Sequence, residues 1–210
     1  TMNEFITVLK NETAEITEKK SRFIADIIYV ENIKQVEENI NSLKKKYYGS
    51  RHNCIAYRII ENGQVIERAS DDGEPSGTAG APMLTILQKN NLCNILVVVT
   101  RYFGGILLGT GGLVRAYSEA TQKAIEKCEL CTKINGEEIF VKLDYSSFEK
   151  FKYYCKNKNI TINEINYLSD IELKCEMEIS VKAQFLRDIE TKVLNIKEYR
   201  PLGTKYITKK

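Results

Sequence analysis

Asp71, Asp72 and Glu74 place three carboxylates within four residues, around Gly73. Such a cluster could hold a divalent cation or supply an acid/base pair. The same Asp-Asp-Gly-Glu-Pro run is also turn chemistry. The continuation Ser76-Gly-Thr-Ala-Gly80 is richer in small residues than a simple turn needs, and small residues let a ligand or another backbone come close. A second segment, Arg101-Tyr-Phe-Gly-Gly-Ile-Leu-Leu-Gly-Thr-Gly-Gly112, leaves an apolar strand and enters a helix carrying Arg115. Glycines ahead of a helix start leave backbone N–H groups free at the positive end of the helix dipole. Phosphate or carboxylate could sit there, with Arg101 or Arg115 adding a fork of donors. No Gly-Lys-Ser/Thr follows, so this is not a Walker loop, and the spacing does not fit a dinucleotide fingerprint. The competing reading of the same glycines is close packing of helix on sheet.

His52 is the only histidine and stands two residues before Cys54. A Cys–His nucleophile is conceivable, but on a strand the two share a face with no evident third member. A polar histidine at a strand end is the preferred reading. Tyr102 and Phe103, beside Arg101, could form a stacking platform for bases; of the two, Phe103 is the one assigned to filling the strand-to-loop corner.

Elements must bring these residues together. Strands are expected at 5–9, 23–30, 53–60, 64–69 and 95–102, with Asn62-Gly63 as a hairpin turn. Helices are expected at 33–47, 82–89, where Pro82 suits a first helical position, and 112–128. The second half reads as β-α-β-β-α-β, the split-βαβ, ferredoxin-like order. Its strands are expected at 137–144, 160–168, 171–181 and 196–207. Its helices follow Ser146, read as the N-cap of a capping box closed by Glu149, and span 183–194. Residues 127–136 are the expected linker. The fold class is therefore α+β, with domains at 2–133 and 137–210.

Composition narrows the function classes. The 210 residues carry a net charge of +3. Residues 1–134 hold 17 Lys+Arg against 16 Asp+Glu, and residues 135–210 hold 14 against 12. Nucleic-acid binding would have to come from local patches rather than a bulk field. No apolar run approaches a membrane span and no secretion signal is visible, so a cytoplasmic protein with no membrane partner is expected. The six cysteines are then reduced thiols. Cys128-x-x-Cys131 has metal spacing but no second pair, so no metal and no cofactor are expected.

The chain resembles the IMPACT family, and more closely its bacterial YigZ type. The resemblance rests on Lys20-Ser-Arg-Phe-Ile-Ala25, His52-Asn-Cys54, the run from Ser70 to Leu84, and Val97-Val-Val-Thr-Arg-Tyr-Phe through Tyr117. It implies an N-terminal domain with the fold of the second domain of a small-subunit ribosomal protein and of domain IV of elongation factor G. It also implies a ferredoxin-like C-terminal domain. Eukaryotic members regulate translation through a further domain that this chain lacks. For bacterial members the family implies a role connected with nucleic acid or the ribosome, with no established reaction. The residues that carry over as a shared surface are Arg22, His52, Asp71, Asp72, Glu74, Ser76, Thr78, Arg101, Thr110 and Arg115; Tyr102 joins them as a stacking residue. Leu107 stands where many relatives have lysine, which removes one positive charge from the second loop.

The leading expectation is a cytoplasmic, non-enzymatic protein that binds RNA or a ribosomal component as a translation-related regulator. One alternative is an enzyme acting on a phosphorylated or nucleotide ligand through the Asp71–Glu74 and Gly104–Gly112 loops. Another is a protein-interaction module.

Overall fold

A computed structural model of the chain describes residues 4–209. Two compact units divide between Cys131 and Thr132.

In the first unit the elements run β1 (Glu4–Val8), β2 (Glu12–Glu18), β3 (Ser21–Tyr29), α1 (Ile33–Lys46), β4 (His52–Glu61), β5 (Gln64–Ser70), α2 (Gly80–Lys89), β6 (Ile95–Tyr102) and α3 (Gly109–Lys127). Five strands form one sheet in the order β2-β3-β6-β4-β5, every neighbouring pair antiparallel. The central strand β6 is apolar on both sides because both faces are covered. Val97 and Val99 join Met83 and Leu87 of α2 and Leu113, Tyr117 and Ala120 of α3. Leu96 and Val98 join Val36 and Leu43 of α1 on the opposite face. A continuous apolar run is what two-sided burial demands.

Turn chemistry accounts for what was legible and what was not. Asn62 and Gly63 both have positive φ, 51° and 77°, as the expected hairpin turn requires. The β2–β3 hairpin uses the same left-handed geometry at Lys19 and Lys20, with φ 45° and 64°. Lysines carry no turn signal, and β2 offers only Ala14 and Ile16 as buried apolar residues, so residue pattern alone does not announce this strand. The remaining strands and helices of this unit lie where expected, within three residues at each end.

The second unit contains β7 (Leu130–Leu143), which crosses the unit boundary, then α4 (Tyr145–Asn157), β8 (Thr161–Tyr167), β9 (Ile171–Glu178), α5 (Ile179–Glu190) and β10 (Glu198–Thr208). Its strands order as β10-β7-β9-β8, all antiparallel, the ferredoxin-like arrangement. The core gathers Ile139, Val141, Phe151, Leu173, Cys175 and Phe185.

Three local expectations are corrected. The stretch read as a linker is largely the first half of β7, held by pairing of Lys133–Gly136 with Lys205–Thr208 of β10. Gly136 permits that pairing, since a Cβ there would meet the Ile207 side chain at 2.7 Å. The N-cap of α4 is Asp144, not Ser146: its Oδ1 accepts from the Ser147 N–H at 2.9 Å, and Ser146 donates its hydroxyl to the same oxygen at 2.7 Å. Finally, β9 stops at Glu178, and α5 begins four residues earlier than expected. Ile179 and Val181 continue the strand alternation by sequence, but Val181 and Phe185 sit four apart on the helix and pack on the same core.

Candidate functional site

The site grows from the adjoining ends of three strands. Antiparallel pairing sets Phe23 of β3 and His52 of β4 on either side of Arg101 of β6. The Arg101 side chain is buried and reaches Glu74 of the loop after β5: Nη1 donates to Oε1 at 2.7 Å, with side chains only 6% and 3% exposed. Nη2 donates to the Ser21 hydroxyl oxygen at 3.3 Å, and that oxygen also accepts from the Gly104 N–H at 3.1 Å. The guanidinium lies 5.4 Å from the ring centre of Phe23 and 5.5 Å from that of Phe103. Tyr117 of α3 donates its hydroxyl to the same Glu74 Oε1 at 2.7 Å. Burial, reinforced by Cys54 and Glu74, raises the Tyr117 phenol far above its ordinary range, so it stays a donor.

Glu74 Oε1 is thus doubly satisfied. Its Oε2 accepts no hydrogen bond among the described residues and lies 3.8 Å from His52 Nε2. The other ring nitrogen of His52, Nδ1, is 2.8 Å from the Asp72 carbonyl oxygen. A carbonyl only accepts, so Nδ1 carries the hydrogen, and in the neutral ring Nε2 is an acceptor.

The acidic loop has a different task from the one its carboxylates suggest. Asp71 Oδ1 accepts from the backbone N–H groups of Ala79 at 3.1 Å and Gly80 at 2.8 Å, and Oδ2 from Gly77 at 2.9 Å. The anion at the start of α2 is therefore the protein's own side chain. Burial pushes the Asp71 carboxyl up, but these three N–H groups outweigh it and hold it below the usual value. Asp72 Oδ2 accepts from the Asn53 N–H at 2.7 Å, tying the loop to β4. Thr78 turns inward and donates its hydroxyl to the Pro75 carbonyl at 2.6 Å. Cys54 donates its thiol to the Asp71 carbonyl at 3.0 Å, and burial pushes that thiol up to about 12, which leaves it a poor nucleophile.

The two glycine-dense loops meet in one pocket of about 360 Å³. Its lining includes His52, Glu74 and Arg101, together with Arg51, Pro75, Phe103, Leu107, Leu108, Gly109, Thr110 and Leu113. The start of α3 contributes Gly109 and Thr110, with neither a side-chain cap nor an acidic residue in the first turn. Of the sequence-predicted residues, His52, Glu74, Arg101 and Thr110 line this pocket. Asp71, Asp72, Ser76 and Thr78 do not. Arg115 lies elsewhere, in a smaller depression with Glu18, Lys19 and Glu119. Arg22 is held by both Glu15 carboxylate oxygens, at 2.6 and 3.1 Å, while its guanidinium sits 5.4 Å from the Tyr102 ring centre.

Arg51 has no role in the sequence-based expectations, and Phe103 is expected there to fill the strand-to-loop corner. Phe103 is instead 40% exposed at the pocket, with the Arg51 guanidinium 5.6 Å from its ring centre. The next residue, Gly104, packs its backbone so closely on Lys20 and Ser21 that a Cβ would lie 2.0 Å from Lys20 C. Arg51 and Phe103 are adjacent to His52 and Tyr102, and that adjacency was the one available signal.

Comparison with known proteins agrees with this organisation. The Impact N-terminal domain model matches residues 19–125, and a domain of unknown function, DUF1949, matches residues 141–191. The IMPACT family member YvyE of Bacillus subtilis is 34% identical over 200 residues, 94% of this chain and 92% of the relative. The family member YigZ of Escherichia coli is 37% identical over 129 residues, 60% of this chain and 63% of the relative. A crystal structure of a hypothetical protein superposes with a TM-score of 0.65 at 27% identity, over 97% of this chain and 98% of that one. A match to the Impact domain across the unit that builds the pocket, and a relative aligned along almost the whole chain, place this protein in the IMPACT family.

Proposed function

We propose that this protein binds RNA, free or within a ribosomal component, through its N-terminal unit, as a translation-related regulator. The observation that carries the reading is a set of arginine–aromatic pairs at one end of the sheet. Arg22 lies against Tyr102 and Arg51 against Phe103, and the Tyr102 hydroxyl donates to the carbonyl of Tyr48, itself 90% exposed. Exposed rings offer stacking surfaces worth about 1–3 kcal/mol per base, and the guanidinium groups offer phosphate contacts. With the overall charge balanced, the cations for phosphate are local ones: Arg51, and Arg22, whose pair with Glu15 is solvent-exposed and therefore weak enough for a phosphate to replace. A connection with translation rests on family membership alone.

The enzymatic alternative asks Asp71, Asp72 and Glu74 to hold a cation beside a phosphate, but Glu74 Oε1 is taken by Arg101 and Tyr117. The Asp71 and Asp72 carboxylates are engaged by backbone N–H groups, and nothing in the geometry favours that reading over RNA binding. The test is titration of labelled single-stranded and structured RNA at several salt concentrations, with Arg51→Ala and Arg22→Ala beside the parent. The parent should bind with affinity falling as salt rises, and each variant should bind more weakly with a shallower salt slope. Absence of salt-dependent binding by the parent would sink the proposal. Arg101 is unsuited to this test, since its side chain is committed to Glu74.

A further inference from the structure

We infer that the pocket between the two loops takes a single unstacked nucleobase bearing an exocyclic amino group; this rests on the RNA-binding reading above and names the chemistry of its site. The floor of the pocket presents acceptors. Glu74 Oε2 stands 3.8 Å from His52 Nε2, the ring nitrogen that is an acceptor in the tautomer with its hydrogen on Nδ1, toward the Asp72 carbonyl. One nitrogen can lie about 2.9 Å from both, an ordinary hydrogen-bond distance. An amino group has two hydrogens to give, one to each.

An anion does not suit this floor. The Arg101 guanidinium that might have drawn one is neutralised by Glu74 at 2.7 Å, and the remaining Oε2 would repel it. A carboxylate left with an open acceptor in a mostly buried setting favours a donor strongly, because hydrogen bonds to charged groups are the stronger class.

The walls fit the rest of a nucleotide. Phe103 offers a ring for stacking, and Leu107, Leu108, Leu113 and Pro75 add apolar surface. Arg51 at the rim and the uncapped N–H groups at Gly109 and Thr110 suit a phosphate outside the pocket. A lysine side chain could also supply an amino group, but its aliphatic stem would leave the Phe103 ring without a stacking partner. Uracil is the base the floor rejects. Its single imino hydrogen lies between two carbonyl oxygens, which would face Oε2 and Nε2.

The experiment compares oligouridylates whose central residue is adenosine, cytidine, uridine or purine riboside, the last being adenosine without its amino group. Adenosine and cytidine should bind about tenfold more tightly than uridine and purine riboside. Because His52 is the only histidine, its imidazole nitrogen resonances report the floor directly. They should shift with the central adenosine and not with purine riboside. Phe103→Ala, a change at an exposed side chain, should abolish the preference and weaken binding of all four oligonucleotides to one common level, with the salt slope unchanged because no cation is removed. Equal affinity for all four oligonucleotides, with His52 unmoved, would overturn the pocket assignment and leave RNA binding intact. Failure of every oligonucleotide to bind at low salt would overturn both. A His52 shift produced by a lysine-bearing peptide but by none of the oligonucleotides would transfer the floor to a protein amine and reject the base.

Discussion

At the scale of single residues, carboxylates that look alike in sequence do different work. Glu74 is a buried counter-ion, whereas Asp71 is a helix cap. Removing the cation from Glu74 should be costly: Arg101→Met is expected to lose about 3–5 kcal/mol of stability, measured by urea unfolding, because it strands a buried charge. Asp71→Ala should cost about 1 kcal/mol, as loss of a side-chain cap does. The same residue should shape the acid limb of stability. Its folded-state value is depressed by the N–H groups of Gly77, Ala79 and Gly80. Its contribution is therefore fully present above the unfolded value of about 4 and disappears as pH falls through the lower folded value. Thermal unfolding between neutral pH and pH 3 should accordingly show a smaller acid loss for Asp71→Ala than for the parent. The acidic cluster was visible as spacing, but the partners of each carboxylate lie between 6 and 43 positions away along the chain, where spacing says nothing.

At the scale of elements, backbone geometry at two turns sets the site. The β2–β3 turn holds Lys19 and Lys20 in left-handed conformation, which is strained for residues with a Cβ. Replacing the pair by Asn-Gly should stabilise the protein by about 1 kcal/mol, seen as a raised unfolding midpoint. The facing position is intolerant. Gly104→Ala would put a methyl group 2.0 Å from Lys20 C and 2.4 Å from the Ser21 nitrogen. It should destabilise by about 1–3 kcal/mol through overpacking and displace Ser21 from Arg101. Most strands were readable because apolar alternation and Asn-Gly chemistry coincide in them. β2 was hidden because its hairpin borrows a glycine geometry with lysines.

At the scale of the whole molecule, each unit has its own core. Phe185 is fully buried among Tyr154, Tyr199 and the sheet of the second unit. Phe185→Ala should cost about 3–5 kcal/mol there. Hydrogen exchange should rise across 132–210, while the sheet β2-β3-β6-β4-β5 keeps its protection. The βαββαβ order of this unit was legible, since its helices and strands have distinct periods. The length of β7 was not, because Thr132–Gly136 becomes a strand only when β10 returns to pair with it.

The order of elements apart from β2, the two-unit organisation and the family motifs are properties of the sequence alone, because local period, turn residues and motif wording are written along the chain. Which carboxylate caps a helix and which faces a pocket was decided by tertiary structure. So was the placement of Phe103 and Arg51 at the rim, with Arg115 in a separate depression. The reason is that hydrogen bonds and close packing act between chain segments far apart in sequence. Side chains adjacent along a loop are therefore sent to opposite tasks by neighbours that only the folded sheet supplies.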